Sequence, residues 1–216
     1  MDDRAIVEQQ LGRPPRAFRR VAARCPDGTP AVTEQWPYDD AGDPFPTTYY
    51  LTCPQLVAAV ARIEAAGGVE RWSHQVELDP ELAADLERAT AEQRRIRREL
   101  AGGNVGRDGG SSLELGIGGS GNPRRLKCLH AHVAYALAQP GYLLGERILA
   151  ELKPRWPPDC CLGGIGETSA ESPGRAARPE AASSGAPIAL AIGAPCVLAS
   201  ERASHPTDEQ RSTNPS

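Results

Sequence analysis

Apolar positions recur along this chain with two periods, near four residues and near two, and the changes between them fall at glycine and proline. The spacing predicts a first helix from about Asp3 to Leu11, capped by Asp2 or Asp3 and closed by Gly12 and the Pro14-Pro15 pair. In "PPRAFRRVAARCP", Phe18, Val21 and Ala22 stand three and four apart, which predicts a second, basic amphipathic helix ending at Cys25-Pro26. "AVTEQW" and "TTYYLT" are rich in β-branched and aromatic residues and are separated by the turn formers "PYDDAGDPFP", so both read as strands. The period then returns to four: Leu56, Val60 and Ile63 share a helical face, Pro54 suits a first helical position, and Gly67-Gly68 ends the element.

"DPELAADLERATAEQRRIRREL" carries the clearest helical stripe, Leu82, Leu86, Ala89, Ile96 and Leu100, with Asp79 as cap and Gly102-Gly103 as stop. Its charges read as a solvated face. "LELGI" is expected to add a short strand, and "RRLKCLHAHVAYALA" a helix capped by Asn122 and opened by Pro123. "GYLLGERILAEL" gives a last helix. From Gly163 onward Gly, Pro, Ala and Ser dominate and no period persists. The expectation is therefore an α+β domain at 1–162, mostly helical around a small β-sheet, followed by a disordered tail at 163–216, in which "APIALAIGAPCVLAS" is at best a weak strand.

Composition narrows the function. Gly (22) and Pro (20) together make up about a fifth of the 216 residues, as a sizeable unstructured fraction requires. The formal charge is -4, and positions 1–162 hold 20 basic against 22 acidic side chains, so a basic field for nucleic acid is missing. No apolar run is long enough to span a membrane and no signal segment opens the chain, so a cytoplasmic protein is expected. Six cysteines in such a chain point to metal, chemistry or burial rather than to a disulfide framework.

"KCLHAH", residues 127–132, concentrates one thiol and two of the four histidines. On a helical wheel Leu126, Leu129, Val133 and Leu137 form a core face, while Cys128 and His132, four apart, share the opposite side and His130 lies between. Two borderline-soft ligands one turn apart are what a metal takes from a single helix. On a strand, Cys128, His130 and His132 would share one face instead. Packing of the cysteine with backbone-bonded histidines is the bland alternative. Cys53, at a predicted helix N-terminus, would meet the positive end of the helix dipole, which favours a thiolate. Cys25 also precedes a proline at an element end. The absence of any Cys-x-x-Cys removes finger, ribbon and thioredoxin patterns, so a site would have to be assembled from distant segments.

The leading expectation is a zinc or iron-sulfur site with Cys25, Cys53, Cys128 and His132 as ligands and His130, Cys160 or Cys161 in reserve. A second is a metal-free enzyme with Cys53 as nucleophile and His130 or His132 as general base. There the loop Gly116, Gly118, Gly119 and Gly121, formally G-x-G-x-x-G and flanked by Arg124, Arg125 and Lys127, would hold a phosphorylated or otherwise anionic small molecule. The lack of a second strand after this loop makes a dinucleotide fold a poor match, and no Walker A pattern follows.

The blocks "RCPDGTPAVTEQWPYDDAGDPFPTTYYLTCPQLVAAVARIEAAGG", "GIGGSGNPRRLKCLHAHVAYALA" and "WPPDCC" resemble an actinobacterial family catalogued as domain of unknown function five-hundred-and-one. The resemblance covers roughly residues 2–161. Its hallmark positions match Cys25-Pro26, Gly28, Pro30, Cys53-Pro54, Gly116, Gly118, Cys128, His130 and His132. The family pattern carries a further cysteine shortly after the first, where this chain has Asp27 and Gly28, which weakens a four-thiolate site. What the resemblance implies is a small cytoplasmic protein, often encoded near an exopolyphosphatase-like protein and a septum-formation initiator. That neighbourhood adds a third expectation, an interaction module in cell division or envelope processes.

Overall fold

The computed structural model describes residues 2–122, 124–152 and 156. Cys160, Cys161, Cys196 and the expected tail lie outside the described residues, as does the expected boundary between 162 and 163. Helix α1 (Asp3–Leu11) forms as the pattern predicts, and Gly12 closes it in the left-handed conformation that glycine adopts without strain.

The second segment does not form a helix. Phe18–Arg24 is strand β1, joined to β2 (Pro30–Gln35) by a tight turn in which Cys25 N–H bonds Thr29 O at 3.0 Å and Gly28 N–H bonds Cys25 O at 2.9 Å. The Pro-Asp-Gly sequence at 26–28 is turn chemistry, and with Gly28 at φ 86° it makes a hairpin. Pairing with β2 therefore overrides the helix propensity of an Arg- and Ala-rich segment. Register shifts in β1 explain why its apolar spacing imitates a helix. One shift, between Phe18 and Arg20, breaks the alternation of faces, and the adjacent Arg19 and Arg20 both pair with the buried Glu34.

Strand β3 (Tyr49–Leu51) pairs antiparallel with β2, so the order is β1-β2-β3 with β2 central and every residue of it buried. Helix α2 (Pro54–Ala65) follows at once, with Cys53 as its N-cap residue. Helix α3 (Gly68–Leu78), not among the expected elements although Val69, Trp72 and Val76 stand three and four apart, begins directly after Gly67. Gly67 makes the reversal at φ 78°, and a Cβ on Gly68 would lie 2.6 Å from the Ile63 carbonyl oxygen, so the two glycines separate α2 from α3 without ending the helical region.

Helix α4 (Pro80–Ala101) is capped as expected: Asp79 accepts the N–H groups of Glu81 and Leu82 at 3.0 and 3.3 Å. The expected strand at "LELGI" is replaced by two short 3-10 turns, Ser111–Glu114 and Ile117–Gly119. Helix α5 starts only at Leu129 and runs to Ala138, so the Asn122-Pro123 start is six or more residues early. Seven of its ten residues are buried. It packs against β3, α2 and α6 (Leu143–Glu151), the last at van der Waals contact because Gly145 has no side chain. Among the described residues no helix is long and apolar enough to cross a membrane.

Candidate metal centre

The late start of α5 changes the geometry of "KCLHAH". Cys128 is not on the helix but is its N-cap residue, extended at φ -159°, ψ 121°. Cys128 and His132 are therefore not one turn apart on a single face. The thiol turns instead toward His130, with Sγ 3.6 Å from Nδ1. The same nitrogen lies 3.1 Å from Oε1 of Glu64, near the C-terminal end of α2. That carboxylate is fixed by the first N–H of α5, Leu129, at 2.5 Å. Glu64, Cys128 and His130 each offer one ligand atom within 4.8 Å of the others, and among the described residues no other group of three or more His, Cys, Asp or Glu side chains does so.

The opposite ring nitrogen settles the tautomer. His130 Nε2 lies 3.1 Å from the carbonyl oxygen of Val57, which only accepts, so Nε2 carries a hydrogen. In the neutral imidazole, Nδ1 then presents a lone pair to a carboxylate oxygen and to a thiol sulfur. Two lone pairs 3.1 Å apart repel unless a cation stands between them, either a proton or a metal ion. A ring fixed through its distal N–H on a backbone carbonyl is also the usual outer support of a metal-bound histidine.

Burial leaves the centre partly open: the His130 and Glu64 side chains are 23% and 25% exposed, while Cys128 is buried. Burial acts to raise the Glu64 pKa, but His130, the Leu129 N–H and Cys128 together outweigh it and hold the carboxyl below its ordinary range. The carboxyl is thus kept ionised. Glu64 was not visible as a ligand in the sequence. One signal was there: at 100° per residue it falls within about 80° of Leu56, beside the apolar stripe of α2, where a carboxylate is out of place.

The other expected ligands lie elsewhere. Cys25 and Cys53 are buried at one end of the sheet, flanking the start of β2: Cys25 N–H bonds Thr29 O at 3.0 Å and Cys53 N–H bonds Ala31 O at 3.3 Å. The Cys25 thiol also donates to the Thr29 carbonyl and faces the Asp27 carboxylate. His132 is 1% exposed, stacks on Tyr142 and shares a 2.7 Å hydrogen bond between Nδ1 and the Tyr142 hydroxyl. Burial pushes its pKa down to about 4, against an opposing pull from Glu64, so it stands neutral in the core. Neither Cys25, Cys53 nor His132 belongs to the group of converging ligands.

The glycine loop packs against this centre. Gly118, at φ 69°, lies so near the start of α5 that a Cβ would sit 3.3 Å from the Ala131 Cβ and 3.9 Å from the Cys128 Cβ. Gly116 N–H bonds Ser120 O at 2.7 Å, Gly119 N–H bonds Gly116 O at 3.0 Å, and the Lys127 ammonium donates to Gly119 O at 3.0 Å. Gly121 has open space around it. The loop leads into bends and a turn and not into a helix, so its N–H groups have no helix terminus behind them.

These features rest on a stretch that a family model also recognises. The chain belongs to the DUF501 family. The model, described as Protein of unknown function (DUF501), matches residues 21–150, which include the sheet except for the first three residues of β1, and α2 to α5 with all three converging ligands. No curated protein and no solved structure matches the chain.

Proposed function

We propose that this DUF501 member binds a divalent metal ion, zinc by the chemistry of the donors, through Glu64 Oε1, Cys128 Sγ and His130 Nδ1. One thiolate, one imidazole and one carboxylate make a borderline-soft set that suits zinc. Among the described residues one thiolate converges there, whereas an iron-sulfur cluster takes cysteines at nearly all its positions, so the donor set favours zinc. The three ligands found among the described residues leave a fourth position of a tetrahedral ion for a further ligand, water or substrate, and the partial exposure of His130 and Glu64 supplies access to it.

The observation that carries this reading is that the thiol and the carboxylate address the same ring nitrogen, Nδ1, while Nε2 is held by a backbone carbonyl. A cysteine-histidine triad whose orienting group is a carboxylate has the opposite arrangement. There the thiol would face one ring nitrogen and the orienting carboxylate the other. The approach of Cys128 Sγ and Glu64 Oε1 to the same nitrogen of His130 supports a ligand role for all three.

Metal analysis of purified protein tests the proposal. One equivalent of zinc is expected, with cobalt substitution giving the sulfur-to-metal charge-transfer absorption of a thiolate ligand. Glu64→Gln, Cys128→Ser and His130→Ala should each weaken binding by more than the ~10–100-fold typical of an outer-shell change. His74→Ala, an exposed histidine outside the group, should not. Retention of stoichiometric metal by all three ligand variants would overturn the assignment.

A further inference from the structure

A second buried polar centre lies on α4 and shares no residue with the first. Arg97 is 0% exposed, and only its Nη1 is hydrogen-bonded, to the Phe45 carbonyl at 3.0 Å. Nε and Nη2 are buried with no hydrogen-bond partner among the described residues. These two N–H groups lie along one edge of the planar guanidinium, the edge that receives a carboxylate or phosphate in two parallel bonds. Four residues earlier on the same helical face, Gln93 is 2% exposed and its amide nitrogen is likewise without a partner.

Both side chains present donors, and among the described residues the Arg97 charge forms no salt bridge. Burial pulls the Arg97 pKa down to about 10, against the pull of Tyr38 and Asp108, and leaves it a cation at neutral pH. Asp108 does not close the open edge, because its oxygens are already engaged. Oδ1 accepts from the Tyr38 hydroxyl and Gly110 N–H at 3.2 and 3.1 Å, and Oδ2 from Ser112 N–H and the Ser111 hydroxyl at 2.9 and 3.3 Å. A neutral molecule at the open edge would satisfy the N–H groups but not the buried charge.

We propose that the Nε/Nη2 edge of Arg97, assisted by the Gln93 amide, binds a small oxyanion, carboxylate or phosphate, beneath the loops at 36–48 and 102–116. The loops are held to each other by polar contacts: Arg107 N–H to Gly42 O at 2.9 Å, Arg107 to Asp43 at 3.1 Å, and Tyr38 to Asp108. The Arg107 and Asp43 side chains are exposed, so these contacts can part to admit an ion without opening the apolar core.

The full-length protein is melted in sodium acetate, sodium phosphate and sodium chloride at equal ionic strength. A saturable rise in Tm above the chloride value is expected with acetate, with phosphate or with both. A rise with acetate alone identifies a carboxylate site, and with phosphate alone a phosphate site. The rise should vanish in Arg97→Lys, which keeps the charge and loses the two-pronged edge. Should that variant fail to fold, the wild-type protein still reports: the Nε resonance of Arg97 in 15N-labelled protein should shift saturably with the same anion. An unmoved resonance with no rise above chloride, or an equal rise in Arg97→Lys, overturns the proposal.

Discussion

At the residue scale, chemistry depends on positions whose neighbours in space the chain order hides. His130 and Cys128 were legible as ligands because they stand two apart in one motif, but Glu64 lies 66 and 64 positions away and meets them only through α2 packing on α5. Gly145 shows the same dependence with its sign reversed. Replacing a mid-helix glycine by alanine ordinarily stabilises by about 1 kcal/mol. Here the added Cβ would stand 2.6 Å from the Ala136 Cβ and 2.7 Å from the His132 carbonyl oxygen, neither of which can swing aside. Overpacking costs roughly 1–3 kcal/mol and outweighs the propensity gain. Gly145→Ala is therefore expected to lose stability in denaturant unfolding, by up to about 2 kcal/mol; a more stable variant would show that α5 and α6 are not in such close contact.

At the element scale, the sequence was readable wherever a cap or stop coincided with the apolar period. Helices α1, α2, α4 and α6 follow it closely. Asp79 is the strongest instance, with two N–H groups on one carboxylate oxygen and Arg147 of α6 on the other at 3.1 Å. Asp79→Ala should cost about 1 kcal/mol through loss of the cap, most of it retained in high salt because the exposed Arg147 pair contributes little. A loss that disappears in salt would assign the effect to the ion pair. Where pairing in space decides, chain order hides the outcome: β1 imitates a helix because register shifts disturb its alternation, and α5 begins only at Leu129, after bends and a turn beside the Gly118 loop. The later start puts Cys128 at the N-cap, off the helical face of His132 and beside His130.

At the scale of the whole molecule, acid should find the loops over Arg97 before it finds the core. Burial acts to raise the Asp108 pKa, but the Ser112 hydroxyl and N–H, the Gly110 N–H and Tyr38 outweigh it, and the net shift is downward. A carboxyl with a lowered folded pKa contributes stability that is present above its unfolded value, near 3.8, and is lost as pH falls through the folded value. Glu151, bidentate to Arg71 at 2.6 and 2.9 Å and so joining α6 to α3, shifts in the same direction chiefly through that hydrogen bond. The two differ in setting: the Arg71–Glu151 pair is solvent-exposed and screened, whereas Asp108 ties its own turn to the loop carrying Tyr38. Asp108→Asn should therefore flatten the fall of stability below pH 4 more than Glu151→Gln does, in urea unfolding followed from pH 6 to pH 3. Equal slopes in the two variants would mean that the loops are coupled to global stability no more strongly than an ordinary surface ion pair. The clasp over the arginine would then open independently of the fold beneath it.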